Sequence, residues 1–233
     1  MDTKSPIDSA VELVIEDFQK YPQCYFTEED IRWRLMREIE EELSKVSKHR
    51  VKSLSGITSA VHGEYPTPFR CTMEHRSFDL ARPTGSQGQR GHFDIVVLNH
   101  PATAKCELEI IRSQDYTRFF KKLRLRELPL PFLDCVIEIK LFRAQKWTKS
   151  TEQRQMEYAC QAVSKVAATL HANDYYPEAF AKRGIVLLFD NSDLASTFDI
   201  EFARDRFREV FKATPDTLSC VWLTPQKRVD FRG

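Results

Sequence analysis

Two apolar segments with ionisable residues inside them limit the possible folds of this chain more than any other feature. Residues 92–98 read HFDIVVL and residues 133–142 read LDCVIEIKLF. Short apolar runs of this kind, rich in Val and Ile, predict strands that are buried on both faces. Such strands rarely hold ionised groups unless these are paired or bind a metal. Asp94, Glu138 and Lys140 therefore mark a candidate site.

Length and composition fit one α/β domain with a smaller extension. The chain has 233 residues, of which 42% are hydrophobic, enough for a sizeable core. Because the formal net charge is only +1, affinity for nucleic acid would have to come from local basic patches. The six cysteines are scattered, without a Cys-x-x-Cys pair. This pattern argues against a cysteine zinc site and predicts buried thiols in a reducing compartment.

No targeting or membrane segment is predicted. The N-terminus reads MDTKSP, which is polar and is not followed by an apolar stretch. No uninterrupted apolar segment reaches the roughly 18 residues that a membrane span needs. We therefore expect a cytoplasmic protein that does not associate with membranes.

Residues 1–50 predict a helical extension. Apolar side chains recur at helical spacing over residues 7–20, and a second amphipathic helix follows Thr27, the predicted N-cap. Asp30 stands where a capping-box partner is expected. We expect these helices to pack on the main domain, residues 51–233. The alternative is a docking surface for a second subunit, as in a homodimer, or for a larger complex.

The main domain is predicted to run helix, three strands, helix, strand, helix, strand. A short helix is expected over residues 52–63, so that Glu64 lies where this helix meets the first strand, residues 69–82. The later elements are expected at residues 92–98, 133–142, 150–171, 184–190, 198–212 and 218–223, with a hairpin connection at 84–91 and an insert at 100–132. Strands that are apolar on both faces favour a central sheet covered by helices on both sides.

The ionisable residues of the two strands have the chemistry of a metal site. Residues two apart in a strand share a face, so Glu138 and Lys140 lie together, and Asp94 can approach Glu138 from a neighbouring strand. Two close carboxylates repel each other unless a cation lies between them, and oxygen ligands suit Mg²⁺ or Mn²⁺. Asp94, Glu138 and the Ile139 carbonyl are the predicted ligands, with Glu64 completing the acidic cluster. Lys140 would orient an attacking water.

A less specific interpretation is an ordinary ion pair between Glu138 and Lys140 at the rim of the sheet. A single Glu-x-Lys occurs in many unrelated proteins and carries little information by itself. The combination of Glu64, Asp94 and Glu-x-Lys in this order is much more specific. It predicts metal-dependent hydrolysis of a phosphodiester.

These residues resemble the motif of the PD-(D/E)XK nuclease superfamily, the restriction-endonuclease-like proteins. Asp94 matches the acid of the second core strand, and Glu138 and Lys140 match the (D/E)-x-K pair. Glu64 matches the acid often found at the end of the first core helix. The residue before Asp94 is phenylalanine where the motif has proline. The resemblance covers about residues 52–192.

The resemblance implies a three-layer α/β sandwich, with a central mixed sheet flanked by helices. It also implies that the matching residues bind Mg²⁺ or Mn²⁺ and cleave nucleic acid by water attack, leaving a 5′-phosphate. DNA is favoured over RNA on family grounds alone. The alternatives are a catalytically inactive nuclease-like module that binds nucleic acid or assembles a larger complex, and a hydrolase of smaller phosphoesters.

Basic side chains after the Glu-x-Lys pair predict a nucleic-acid-binding surface. The candidates are Arg143, Lys146, Trp147 and Lys149. Positive side chains beside a metal site suit phosphate contacts, and a tryptophan can stack on an unpaired base. The alternative is a solvated face of an amphipathic segment.

Overall fold

The computed structural model describes residues 4–72, 79–81, 89–112, 121–122, 127–143, 149–171, 178–191, 201, 204–205, 207–208, 211 and 216–231. Its elements are α1 (Pro6–Lys20), α2 (Glu28–Lys45), β1 (Arg50–Lys52), β2 (Ile57–Ser59), β3 (Val61–Thr72), β4 (Asp79–Ala81), β5 (Gln89–Leu98), α3 (His100–Thr103), α4 (Leu108–Ile111), β6 (Leu133–Phe142), α5 (Lys149–Ala167), β7 (Ala181–Asp190), β8 (Leu218–Leu223) and β9 (Arg228–Phe231). A 3₁₀ turn, Pro22–Cys24, connects α1 to α2.

Within the described residues, one mixed sheet has the strand order β4–β3–β5–β6–β7–β8–β9, while β1 and β2 form a separate pair. Strands β3, β5 and β6 are an antiparallel meander, whereas β6, β7 and β8 are parallel. Parallel neighbours need a crossover connection, and α5 lies between β6 and β7 in the chain. The prediction of an α/β protein with a mixed central sheet flanked by helices is confirmed.

Helices α2 and α5 cover opposite faces of the sheet. A Cβ atom on Gly63 would contact Met36 of α2, whereas a Cβ atom on Gly184 would contact Val166 of α5. Through the strand pairings, these two glycines align with adjacent residues of β6. Because adjacent residues of a strand point to opposite faces, the helices lie on different sides. The polar residues of β6 therefore face α5.

The N-terminal helices form where the sequence predicts them. Thr27 caps α2 and Asp30 completes a capping box, so both predicted roles are confirmed. Buried side chains of α1 and α2, among them Phe18, Leu35 and Ile39, belong to the same hydrophobic core as the sheet. The two helices thus pack against the strands, as one of the two interpretations expected.

The predictions of a helix over residues 52–63 and of a first strand that begins at residue 69 are wrong. The segment 52–63, expected as a helix, contains β2 and the start of β3, and the first long strand begins at Val61 rather than at residue 69. β-Branched residues in this segment favour strands, and pairing of β3 with β5 decides the outcome. Glu64 consequently lies inside β3 and not at the end of a helix.

Strands β6 and β8 have the predicted bounds, while β9 was not predicted. Residues 84–88 of the expected hairpin connection and most of the expected helix 198–212 lie outside the described residues, as does part of the insert. Cys106, Cys135 and Cys220 are buried free thiols, as the sequence suggested. No described helix is long and apolar enough to cross a bilayer.

Candidate active site

Three acidic residues occupy one row across β3, β5 and β6. The β5–β6 register places Asp94 beside Glu138, one residue beyond the pair formed by Ile95 and Ile137. The β3–β5 register places Glu64 on the other side of Asp94, between two regular pairs. Strand pairing thus brings together residues that are far apart in the sequence.

Glu138 is the buried centre of this row, with a side chain that is 1% exposed. The Nζ atom of Lys165, on α5, lies 2.5 Å from its Oε1 atom. This contact is an ion pair without the angles of a hydrogen bond, and Oε2 has no hydrogen-bond partner among the described residues. Burial raises the pKa of Glu138 to about 7; Lys165 opposes this rise and Asp94 adds to it. A buried carboxylate with an unbonded oxygen is unfavourable without a further cation or proton.

Lys165 is held in place from several sides. Its Nζ atom donates a hydrogen bond to the carbonyl of His92 at 2.7 Å and lies 5.9 Å from the centre of the Phe93 ring. Together with Glu138, these groups surround the ammonium, and the side chain is only 15% exposed. Lys165 was not predicted as a site residue from the sequence. The one indication in the sequence is that Lys165 adjoins Val166, a buried residue on the core-facing side of α5.

Asp94 lies where β5 separates from β6. Its Oδ2 atom accepts a hydrogen bond from the backbone N–H of Ile139 at 2.7 Å. The next N–H on that edge, of Leu141, donates to Oε1 of Glu28 at 3.2 Å. Backbone N–H groups need acceptors when they are shielded from water. The two carboxylates therefore take the place of the carbonyl groups that a continuing strand would have offered.

Lys140 extends from the same stretch of β6. Its Nζ atom donates to Oε2 of Glu28 at 3.2 Å and to the carbonyl of Ile139 at 2.7 Å. Burial acts to lower the pKa of Lys140, but the carboxylates of Asp94, Glu28 and Glu138 outweigh it, so the pKa is raised. Lys140 is therefore a firmly charged ammonium. The Ile139 carbonyl, predicted as a further metal ligand, accepts a hydrogen bond from this ammonium.

Glu64 belongs to the row by register, but its carboxylate pairs with Arg32 of α2. Residue 64 has a φ angle of 50°, in the left-handed region, which breaks the regular alternation of β3. The side chain is 57% exposed. Within the described part of the chain, no three Asp, Glu, His or Cys side chains form a group that could hold a metal ion. The structure thus brings Asp94 and Glu138 together without Glu64.

Glu28 was also not predicted as a site residue, because it lies in the segment assigned to the helical extension. Acidic residues in the first turn of a helix are explained by the helix dipole, so nothing marked Glu28 as a site residue. Of the acids of α2, Glu28 contacts Lys140, whereas Glu64 lies on a strand.

One of the predicted nucleic-acid-binding side chains can be described. Arg143 follows β6 and is exposed; its guanidinium lies 5.7 Å from the ring centre of Phe26, and Nη2 donates to the carbonyl of Tyr25 at 2.8 Å. Lys146 and Trp147 lie outside the described residues, and so does the side chain of Lys149. Arg143 therefore extends the positive surface from Lys140 towards the start of α2.

Comparison with known proteins adds no relative. No family model matches the chain, and neither a curated protein nor a solved structure matches it. The fold and the charged cluster therefore define the class of protein, which is an α/β protein with an acid–lysine cluster on a mixed sheet. Any function has to be argued from the residues of that cluster.

Proposed function

We propose that this chain is a divalent-metal-dependent nuclease of the PD-(D/E)XK type, with DNA favoured over RNA as substrate. The observation that carries the proposal is the position of Asp94 beside Glu138 on neighbouring strands, with Lys140 next to both. A buried acid with a raised pKa, gathered with a second carboxylate and a lysine in this way, is typical of functional sites. An isolated ion pair at the rim of the sheet would not need a second carboxylate or a fully buried glutamate.

The order of elements also supports a restriction-endonuclease-like arrangement. After α1, and apart from the short elements β1, β2, β4, α3 and α4, helix α2 is followed by the meander β3–β5–β6, the crossover helix α5 and the parallel strand β7. This is the helix, three-strand, helix, strand order that the resemblance implies, with α2 in the place expected for residues 52–63. The site lies on the central strands of this unit.

The residues of the cluster fit Mg²⁺ or Mn²⁺. Asp94 and Glu138 supply carboxylate oxygens, and the buried Oε2 of Glu138 is without a hydrogen bond among the described residues. Proteins commonly supply two carboxylate ligands to Mg²⁺, and waters fill several of the remaining coordination positions. The Ile139 carbonyl and Glu64 are further candidates, but Glu64 would have to leave Arg32. When bound, such an ion would lower the pKa of a water and neutralise phosphate charge.

The protein groups would then act as follows. Lys140 would hold the attacking water and offset negative charge on the scissile phosphate, because three carboxylates keep it positively charged. Arg143 and, further along the chain, Lys146 and Lys149 would contact the nucleic-acid backbone, and Trp147 would stack on a base. These roles assign the binding surface to the segment directly after β6.

A catalytically inactive module is the second candidate, and one observation favours it. Glu138 is already paired with Lys165, and Lys140 with Glu28, so the chain itself neutralises much of the cluster. Such a cluster could serve fold stability alone while the surface after β6 binds nucleic acid. Binding without metal-dependent cleavage would distinguish this candidate from the nuclease.

Cleavage assays test the proposal. The purified protein is incubated with plasmid DNA, single-stranded DNA and RNA, in Mn²⁺, in Mg²⁺ and in a chelator. We expect cleavage only with metal, and a loss of about 10²- to 10⁴-fold in Asp94→Asn and Lys140→Met. The matched control is Lys182→Met. Lys182 pairs with Asp134 at 2.5 Å near the starts of β7 and β6, where both side chains are partly exposed. Full activity of Lys140→Met would contradict the mechanism.

A further inference from the structure

The ammonium of Lys165 is bound by the kinds of oxygen atom that bind hard metal ions. Its Nζ atom lies 2.5 Å from a carboxylate oxygen of Glu138 and 2.7 Å from the carbonyl oxygen of His92. Carboxylate and carbonyl oxygens are also ligands for hard divalent cations. A cation of the chain itself thus occupies the carboxylate that the proposed function assigns to a metal.

We propose that Lys165 is an internal cation that competes with the divalent metal for Glu138, so that metal binding requires the ammonium to leave this carboxylate. The inference rests on the proposed function, because it takes Asp94 and Glu138 as the metal site. It adds a role for a residue outside the motif. Lys165 is a positioning residue that favours the ionised form of the glutamate and holds it in place until metal arrives.

The two partners of this ion pair differ in their freedom to move. Glu138 lies in the middle of a central strand, with 1% of its side chain exposed, whereas Lys165 is 15% exposed at the end of a flexible four-carbon stem. Removing both cations would leave an unpaired buried carboxylate, which is strongly unfavourable. Exchange of one cation for the other avoids that state. Competition is therefore the expected relation between Lys165 and the metal.

Lys140 has a different set of partners and can stay in place during this exchange. Its hydrogen bonds go to Glu28 and to the Ile139 carbonyl, and neither goes to Glu138. A metal on Asp94 and Glu138 would therefore displace Lys165 and leave the Lys140–Glu28 pair intact. The two lysines beside one glutamate thus have separate functions.

Calorimetric titration of metal-free protein with Mn²⁺ tests the competition. We expect Lys165→Met to bind Mn²⁺ about tenfold or more tightly than the wild type, the scale on which one adjacent charge changes proton affinity. Lys182→Met, which breaks a lysine–carboxylate pair of the same 2.5 Å length away from the site, should bind like the wild type. If Lys165→Met does not fold, Lys165→Gln removes the charge but retains a hydrogen-bond donor.

A second readout needs only the wild type. Lysines are acetylated with an amine-reactive reagent and quantified by mass spectrometry, with and without Mn²⁺. Lys165 should react slowly in chelator and several-fold faster at saturating Mn²⁺, while Lys182 reacts equally in both. Unchanged labelling of Lys165 at saturating metal would overturn the inference, as would an unchanged or weaker Mn²⁺ affinity in the variants.

The outcomes also separate this inference from the proposed function. If the wild type and both Lys165 variants bind no Mn²⁺, there is no metal site and both proposals fail. If Mn²⁺ binds with the same affinity in the wild type and in Lys165→Met, only the competition fails and the nuclease proposal stands. Tighter binding in Lys165→Met without cleavage of any nucleic acid would support the competition and contradict the nuclease.

Discussion

Two charged clusters lie on opposite faces of one sheet, and they differ in how completely their charges are paired. Under α1, Arg183 donates from both terminal nitrogens to Asp8, at 2.7 and 3.0 Å. Beside it, Arg228 pairs with Glu12 at 2.7 Å. Under α5, the buried Glu138 receives one ammonium on one oxygen. Both carboxylate oxygens of Asp8 in the α1 cluster accept hydrogen bonds, whereas Oε2 of Glu138 in the α5 cluster accepts none from the described residues.

The pKa directions follow this difference. Burial acts to raise the pKa of Asp8, but hydrogen bonds from Arg183 and Ser5 outweigh burial, so the pKa is lowered. For Glu138 burial prevails and the pKa rises to about 7. The α1 cluster lines a cleft of about 440 Å³, yet its paired charges suit a structural role. The unbonded oxygen of a buried acid, rather than the number of charges or the presence of a cleft, supports the α5 side as the proposed site.

The largest expected effect comes from breaking the buried pair. In chelator at pH 8, Lys165→Met should lose about 3 kcal/mol of unfolding free energy, because Glu138 is left buried without its cation. The double variant Glu138→Leu/Lys165→Met should recover most of this loss, since it removes both charges. Urea denaturation of Lys165→Met, Glu138→Leu, the double variant and Lys182→Met measures the coupling energy between Glu138 and Lys165. A loss in Lys165→Met no larger than in Lys182→Met would show that the pair contributes little.

The pH dependence of stability should have opposite signs for the two clusters. The pKa of Glu138 rises from 4.5 in its ordinary state to about 7 in the folded chain. Between these values the folded state holds a proton that the unfolded chain has lost, so this group destabilises the fold as pH rises. Asp8, with its lowered pKa, stabilises the fold above its ordinary pKa of 3.8 and loses this contribution as pH falls below it.

Glu138→Gln isolates the contribution of Glu138. Relative to this variant, the metal-free wild type should lose about 2 kcal/mol of unfolding free energy between pH 5 and pH 8. The measurement is urea denaturation of both proteins across that range, with chelator present throughout. A constant difference between them would mean that Glu138 is ionised at every pH in the folded protein.

Breaking the α1 cluster should have a smaller effect and no effect on catalysis. Arg183→Met removes both hydrogen bonds to Asp8, but the two side chains are 30% and 39% exposed, so water can replace the contact. We expect a loss of about 1 kcal/mol by urea denaturation, as for partly exposed ion pairs. Nuclease activity should stay at the wild-type level, because the cluster lies on the opposite face. A large loss of activity in this folded variant would move the site to the α1 side.

Local signals explain what the sequence could predict. The bounds of β6 follow from a run in which apolar residues predominate, and the start of α2 follows from the Thr27 capping box. The juxtaposition of Asp94 and Glu138 was predicted as well, because it needs only that two recognisable strands be neighbours. Residues 52–63 were misassigned because their strand character depends on pairing with β5.

The rest of the site depends on long-range geometry. Lys140 and Glu28 are separated by 112 positions in the sequence, and their contact requires α2 to begin beside the open edge of β6. Lys165 reaches Glu138 only because the crossover helix α5 runs back over β6. Neither contact has a local pattern in the sequence. The left-handed backbone at Glu64, which accompanies its pairing with Arg32, likewise has no sequence signal such as glycine or asparagine.

The smallest effect is expected at Glu28, which combines features of both clusters. Its carboxylate is 44% exposed and contacts both Lys140 and the N–H of Leu141. In Glu28→Gln the amide oxygen can still accept from Leu141, so the unfolding free energy should change by less than about 0.5 kcal/mol. The pKa of Lys140 should fall, because one of the three carboxylates that raise it is gone. Titration of the Lys140 ammonium by NMR measures this change, and an unaltered pKa would show that Asp94 and Glu138 alone keep the lysine charged.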